Sequence, residues 1–266
     1  MYLTVDNQEI FVATGGVEFD ANKPTIVFLH GAGMDHRAWA LQTRYFAFHG
    51  YSVLAPDLPG HSLSSGEPLD SVEAMGNWLT KIVDAAGAEY VHLVGHSQGF
   101  LIALEAATGL GNRLQSITAV ATAAAIPVNP ALIETAQKSP DTAAGMMLQW
   151  GFGQRTQMGM SPVPGQQPIA VGRQIMSKNP LAKDLIACSN YSLGAQRSKE
   201  IKCPTHVILA AEDKMTPVKS GLALAADLGV TATIIENAGH MLPVEAPAQC
   251  LEAMGTFIQS LEEKQA

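Results

Sequence analysis

The residues here whose types and spacing could do chemistry are a serine between two glycines, a late histidine and a carboxylate ending an apolar run. In Gly95-His96-Ser97-Gln98-Gly99 the serine follows the short run Val91-His92-Leu93-Val94 and precedes an Ala- and Leu-rich segment. Read physically, that is a strand, a very tight turn and a helix, with Ser97 at the apex of a nucleophile elbow. A side chain at Gly95 or Gly99 would collide with the turn or its neighbours, and the strained apex pushes the Ser97 hydroxyl into the open. The first N–H of the helix, at Gln98, then faces whatever the serine attacks.

A serine hydroxyl is a weak nucleophile at neutral pH and needs a base, with a third group to hold that base. His240, in Asn237-Ala238-Gly239-His240-Met241, follows the last expected strand and suits the base. Of the other histidines, His30 and His96 sit beside glycines where backbone fit dominates, and His92 and His206 lie within expected strands. His36, His49 and His61 all precede the elbow. Glu212 and Asp213 both end the run His206 to Ala211. Asp213 is the better placed, just before a helix started by Pro217, and Glu212 is the alternative, read as a solvated turn residue. No Asp or Glu occurs between Ser116 and Ile133, which closes the other strand end that could have carried the acid.

The elements that must position these groups alternate between strands and helices. Thr25-Ile26-Val27-Phe28-Leu29 is a continuous apolar run, as expected of a strand buried on both faces. A helix through Trp39 and Phe46, a strand from Tyr51 to Ala55, and a helix carrying Val72, Met75, Leu79, Ile82, Val83 and Ala86 follow. The elbow, a strand at Ser116 to Thr122, the run at 206–211, a helix near 217–228, a strand at Ala232 to Ile235 and a closing helix from Pro247 to Leu261 complete the series. This order calls for a mostly parallel twisted sheet flanked by helices, an α/β class fold. Residues 1 to about 20 read as one or two short strands, an antiparallel edge hairpin with a Gly15-Gly16 turn. From about Ile126 to Ala195 no strand-like run occurs and prolines are frequent, with helices expected at 130–150 and 169–188 around a Gly- and Pro-rich loop. The expected organisation is therefore one core, 1–125 and 196–266, interrupted by a helical insertion, 126–195.

Bulk properties exclude some classes of function. A formal net charge of -8 argues against nucleic acid or an anionic membrane surface as partner, since both need a basic face. Cys188, Cys203 and Cys250 are odd in number and in no metal-like spacing, which fits buried free thiols in a reducing compartment. No basic stretch leads into an apolar one at the N-terminus, and the apolar segment Ser116 to Ile126 is too short to span a bilayer, so the expected location is cytoplasmic.

The order Ser97, Asp213, His240 resembles that of the α/β-hydrolase superfamily, and the resemblance covers nearly the whole chain. The matching pieces are His30-Gly31-Ala32-Gly33, Asp57-Leu58-Pro59-Gly60-His61-Ser62, the elbow, Asp213 with Pro217, and Gly239-His240. The family pattern has Gly where Ser62 stands. The resemblance implies an α/β-hydrolase fold with a helical cap, and an oxyanion hole made by the backbone N–H groups of Ala32 and Gln98. His30 would brace its loop. Epoxide hydrolases and haloalkane dehalogenases use Asp as nucleophile, and Ser97 argues against both. Carbon–carbon bond hydrolases of this family carry Trp soon after the histidine, where this chain has Met241-Leu242-Pro243.

The insertion would be the lid of the pocket, with Met146, Met147, Trp150 and Phe152, together with Met241 beside the histidine, as expected substrate contacts. Adaptable thioethers suit a small or medium apolar acyl or alcohol group. The expected function is a serine hydrolase acting on a small-molecule carboxylic ester or similar acyl substrate, through an acyl-enzyme and without metal or organic cofactor. The alternatives are a C–C bond hydrolase of a β-diketone type, and a ligand receptor on a hydrolase fold. Small cofactor-free perhydrolases share the same residues.

Overall fold

The computed structural model describes residues 1–263. The apolar runs form eight strands: β1 (Tyr2–Val5), β2 (Gln8–Ala13), β3 (Thr25–Leu29), β4 (Ser52–Pro56), β5 (Val91–His96), β6 (Leu114–Val120), β7 (Thr205–Ala210) and β8 (Ala232–Ile235). They make one sheet in the order β1-β2-β4-β3-β5-β6-β7-β8. From β4 to β8 every pairing is parallel, whereas β1 and β2 pair antiparallel with each other and β2 antiparallel with β4.

The edge hairpin is present, but its turn is not at Gly15-Gly16. It lies at Asp6-Asn7, where both residues take positive φ, 51° and 61°. Two such residues give the hairpin turn whose twist matches the flanking strands, and short polar side chains tolerate that conformation. The two glycines instead carry the chain out of β2.

The helices around the sheet are α1 (Ala40–Ala47), α2 (Val72–Ala86), α3 (Gln98–Leu110), α10 (Val218–Asp227), α11 (Leu242–Glu245) and α12 (Pro247–Glu262), named with those between β6 and β7 counted in chain order. Those are α4 (Pro130–Lys138), α5 (Pro140–Gly151), α6 (Gln154–Gln157), α7 (Pro168–Met176), α8 (Leu181–Asn190) and α9 (Gly194–Glu200). Each expected helix of this segment is thus two. Pro140 and Pro180 break the pattern because a proline cannot donate to the preceding turn and disfavours helical geometry in the residue before it. A further helix, α9, runs through position 195, where the sequence reading put the end of the insertion.

The sheet separates two cores, and β3 shows why a continuous apolar strand is needed. Ile26 and Phe28 point to one side, among Trp39, Phe46, Met254 and Ile258. Val27 and Leu29 point to the other, among Leu79, Ile82, Leu101 and Leu104. Burying each such side chain fully contributes about 1.5–3 kcal/mol relative to exposure. The first core continues into the segment between β6 and β7 through Leu132, Met147, Leu148, Leu181 and Leu185. Parallel pairing brings the carboxyl ends of β3, β5 and β7 to one edge, where the loops that follow them meet the loop after β8.

Candidate active site

Ser97 sits between β5 and α3 with φ 54° and ψ -119°, a conformation a non-glycine residue adopts at a cost of about 1–3 kcal/mol. The surroundings hold it there: its N–H donates to the Val120 carbonyl at 3.0 Å and its carbonyl accepts from the Thr122 hydroxyl at 3.0 Å. A Cβ on Gly95 would lie 2.4 Å from the Phe100 nitrogen, and one on Gly99 2.3 Å from the Leu29 oxygen. The elbow is packed too tightly for either side chain.

His240 and Asp213 meet behind Ser97. The His240 Nδ1 lies 2.8 Å from Asp213 Oδ2, with both side chains buried. An ionised carboxylate only accepts, so the proton of this bond is on Nδ1 and Nε2 is left as the free nitrogen. The Thr216 hydroxyl donates to the same Oδ2 at 2.8 Å, and the Met215 and Thr216 N–H groups both donate to Oδ1 at 2.8 Å. Burial alone would raise the Asp213 carboxyl, but the His240 imidazole and the Thr216 donors outweigh it and hold it below its ordinary value. Glu212 does something else: its Oε2 accepts the Gln154 N–H at 2.7 Å, at the start of α6.

The backbone around His240 is fixed from two directions. His96 Nε2 donates to the His240 carbonyl at 2.8 Å, and burial pushes the His96 ring down to about 3, so it is neutral. Glu245 accepts the Gly239 N–H at 2.7 Å on one oxygen and the Gly153 N–H at 2.6 Å on the other. Burial raises the Glu245 carboxyl despite these donors.

On the other side of Ser97, residues Gly31 to Met34 form a turn closed by the Met34 N–H on the Gly31 carbonyl at 3.0 Å. Neither the Ala32 nor the Gln98 N–H donates a hydrogen bond among the described residues. Gly31, Ala32, His96, Ser97 and His240 line one cavity of about 210 Å³. Its walls are apolar, with Met34, Leu132, Met147, Trp150, Leu185 and Met241 prominent, and Asn129 and Lys214 are polar members of the lining. A larger open groove of about 850 Å³, lined by Leu104, Leu114, Arg197 and Pro204, contains none of these groups.

The structure brings Ser97, His240 and Ala32 to the cavity, with Asp213 directly behind His240. Of the five side chains expected to contact substrate, Met147, Trp150 and Met241 line it. Phe152 does not: it is buried and lines a neighbouring cavity of about 90 Å³, to which Met34 and Met241 also belong. Met146 is not in the lining either; it packs partly buried against the first core. Met34, Leu185 and Cys188 were not anticipated, and burial pushes the Cys188 thiol well up. Their signal was hidden because each reads as an ordinary apolar core residue.

Asp35, His36 and Asp57 bring three potential metal-ligand atoms within 4.8 Å of one another. All are engaged with each other or with neighbours: Asp57 accepts from the His36 ring and N–H, and Asp35 accepts from Arg37. No helix among the described residues is long and apolar enough to cross a membrane.

A family model described as an alpha/beta hydrolase family matches residues 26–253. The chain belongs to the alpha/beta hydrolase family. It is 27% identical over 254 residues to an (E)-2-((N-methylformamido)methylene)succinate hydrolase of Acinetobacter baylyi, covering 88% of this chain and 90% of the relative. It is 25% identical over 248 residues to 3-oxoadipate enol-lactonase 1 of the same organism, covering 91% of each. Among solved structures, the enol-lactonase of Burkholderia xenovorans LB400 superposes on this hydrolase fold with a TM-score of 0.85 at 22% identity, over 97% of this chain and 100% of the other.

Proposed function

We propose that this alpha/beta hydrolase is a serine hydrolase of small carboxylic esters, cyclic esters included, working through an acyl-enzyme. The observation that carries the reading is the shared cavity: Ser97 at its strained apex and His240, backed by buried Asp213 at 2.8 Å, line the same small apolar chamber. The relatives that hydrolyse an enol-lactone and a substituted succinate support hydrolysis of small molecules at this site.

In this reading the Ser97 oxygen bonds to the substrate carbonyl carbon while His240 Nε2 takes the hydroxyl proton. The carbonyl electron pair moves to oxygen and is met by the free N–H groups of Ala32 and Gln98. Collapse breaks the C–O bond to the alcohol, which leaves with the proton from His240. Water then attacks the acyl-enzyme, His240 takes its proton and returns it to Ser97, and the acid departs. Asp213 holds the Nδ1–H throughout and stabilises the imidazolium. The resting structure has no Ser97–His240 hydrogen bond among its described contacts, an arrangement that commonly tightens only with substrate. The helices between β6 and β7 act as the lid that walls the chamber.

A cavity of about 210 Å³ lies below the roughly 300–1,000 Å³ usual for pockets that hold drug-sized ligands, which favours short acyl groups. The test is hydrolysis of p-nitrophenyl esters from acetate to decanoate by the native protein and Ser97→Ala. Turnover should peak at short chains and fall by about 10⁴-fold or more in the variant. Labelling of Ser97 by a fluorophosphonate without ester turnover would instead point to carbon–carbon bond cleavage of a diketone. Absence of both turnover and labelling would overturn the assignment.

A further inference from the structure

Asp184, on α8 of the segment between β6 and β7, is fully buried and reaches back to the strand-end loops. Its Oδ2 accepts the Gly33 N–H at 2.6 Å and a hydrogen bond from His61 Nε2 at 2.9 Å. Its main-chain carbonyl accepts the Gln98 side-chain amide at 3.2 Å. One residue of the lid therefore touches the backbone of Gly33, next to Ala32, and the side chain of Gln98, the two residues whose N–H groups would supply the oxyanion donors being Ala32 and Gln98.

The turn makes the first contact consequential. Gly33 has φ +68° at the third position of the Gly31–Met34 turn and Ala32 is not in the left-handed region, which is type II geometry. Type II differs from type I by a flip of the central peptide, here Ala32–Gly33. A buried acceptor on the Gly33 N–H holds that peptide in one orientation; after a flip the Ala32 carbonyl would point at a carboxylate. Asn179, just before α8, holds the following peptide by donating to the Gly33 carbonyl at 3.1 Å and the Met34 carbonyl at 2.9 Å. The Asp184 charge is balanced internally. Both partners of the His61 ring, Asp184 and the Pro59 carbonyl at 3.0 Å, are acceptors, so both ring nitrogens carry hydrogen and the ring is cationic.

We propose that Asp184 is the positioning residue of the oxyanion hole: from the lid it fixes, through the Gly33 N–H, the peptide next to the one that carries the Ala32 N–H, and it holds the Gln98 side chain, so that both donors are set before substrate arrives. This rests on the serine-hydrolase reading above. The acceptor rather than the charge does the positioning. Both side-chain contacts use Oδ2, whereas Oδ1 is buried without a partner among the described residues, so an amide oxygen in place of Oδ2 can take both bonds.

The test compares kcat and KM for p-nitrophenyl butyrate in the native protein, Asp184→Asn, Asp184→Leu and Gln98→Met. Asp184→Leu should lose about 10- to 100-fold in kcat with KM little changed, since misplaced oxyanion donors weaken the transition state rather than ground-state binding. The inhibition constant of an alkylboronic acid, which places an oxygen in the same hole, should rise by the same factor. Asp184→Asn should stay within a few-fold of native, and Gln98→Met should lose less than Asp184→Leu but with the same kcat signature. If Asp184→Leu does not fold, Gln98→Met and Asp184→Asn carry the comparison. Native kcat in Asp184→Leu or Gln98→Met, a loss falling on KM, or an Asn variant as impaired as Leu would overturn the proposal. In ¹⁵N–¹H spectra the Gly33 amide proton should resonate downfield in the native protein and Asp184→Asn, and an ordinary native shift would also overturn the latch. Failure of the serine-hydrolase reading looks different: no turnover and no Ser97 labelling, with the Gly33 proton still downfield.

Discussion

Two carboxylates that belong to no strand grip the loops on either side of Ser97, and they do so differently. Glu245, half-buried in α11, gives one oxygen to each of two N–H groups and so bridges the histidine loop at Gly239 to Gly153 in the segment between β6 and β7. Asp184, fully buried on α8, places both contacts of its side chain on one oxygen and leaves the other without a partner among the described residues. The first is a bridge with both ends occupied; the second is a single-atom latch with an oxygen to spare. That difference decides which amide replacement can keep its hydrogen bonds, although both positions are acidic residues on helices. Asp213 belongs with the bridge, because each of its oxygens receives two donors.

The comparison breaks or sharpens on substitution, and the largest effect is at Asp213. An asparagine there must turn its NH₂ toward one pair of donors, so Asp213→Asn should lose about 10³- to 10⁴-fold in kcat for ester hydrolysis. The same variant has a pH signature. The folded carboxyl of Asp213 lies below its ordinary value of 3.8, so its stabilising contribution is complete above that value and is lost as pH falls through the lower, folded one. A plot of melting temperature against pH should therefore be flatter at its acid end in Asp213→Asn than in the native protein.

Next comes Glu245→Gln, which leaves one N–H facing an amide NH₂ and should destabilise the protein by about 1–3 kcal/mol in urea unfolding. Asp184→Asn keeps both hydrogen bonds on one oxygen but takes the counter-charge from the buried His61 imidazolium, so it should cost more, about 3–5 kcal/mol, and a loss no larger than that of Glu245→Gln would mean that the His61 ring is not charged. The smallest effect concerns the wall rather than the loops. Met34 and Met241 stand between the chamber of about 210 Å³ and the neighbouring one of about 90 Å³. Met241→Ala should join them and move the preferred ester toward longer acyl chains, by about fourfold for each methylene that gains an apolar wall at about 0.8 kcal/mol. An unchanged chain-length profile would mean the second chamber takes no part.

What was legible in the sequence follows from how local the signal is. The strand–turn–helix around Ser97 lies within a few residues, and Gly95 and Gly99 mark it because only a bare backbone fits there. The parallel sheet was legible because Ile26, Val27, Phe28 and Leu29 must satisfy two cores at once. The hairpin turn was misplaced because a Gly-Gly pair is the louder turn signal, whereas Asp6 and Asn7 take the same left-handed geometry with side chains attached. The pairing of Asp184 with His61 had no signal at all: the two are 123 residues apart, and an acidic residue in a helix of mixed composition reads as a solvated face. The chamber wall was half legible for the same reason, since Met34 comes from the loop after β3 and Leu185 and Cys188 from α8, which only the tertiary fold unites.

One member of that wall bears on how the molecule meets electrophiles. Cys188 lines the same chamber as Ser97, and burial, reinforced by the nearby charge of Asp184, keeps its sulfur protonated. The element usually regarded as the more reactive is therefore the one kept protonated here, while in the proposed mechanism the hydroxyl is the one supplied with a proton acceptor, His240. Selectivity between the two is a matter of activation rather than of reach. If the proposed mechanism holds, an acylating or phosphonylating reagent small enough to enter would meet both side chains and modify the oxygen.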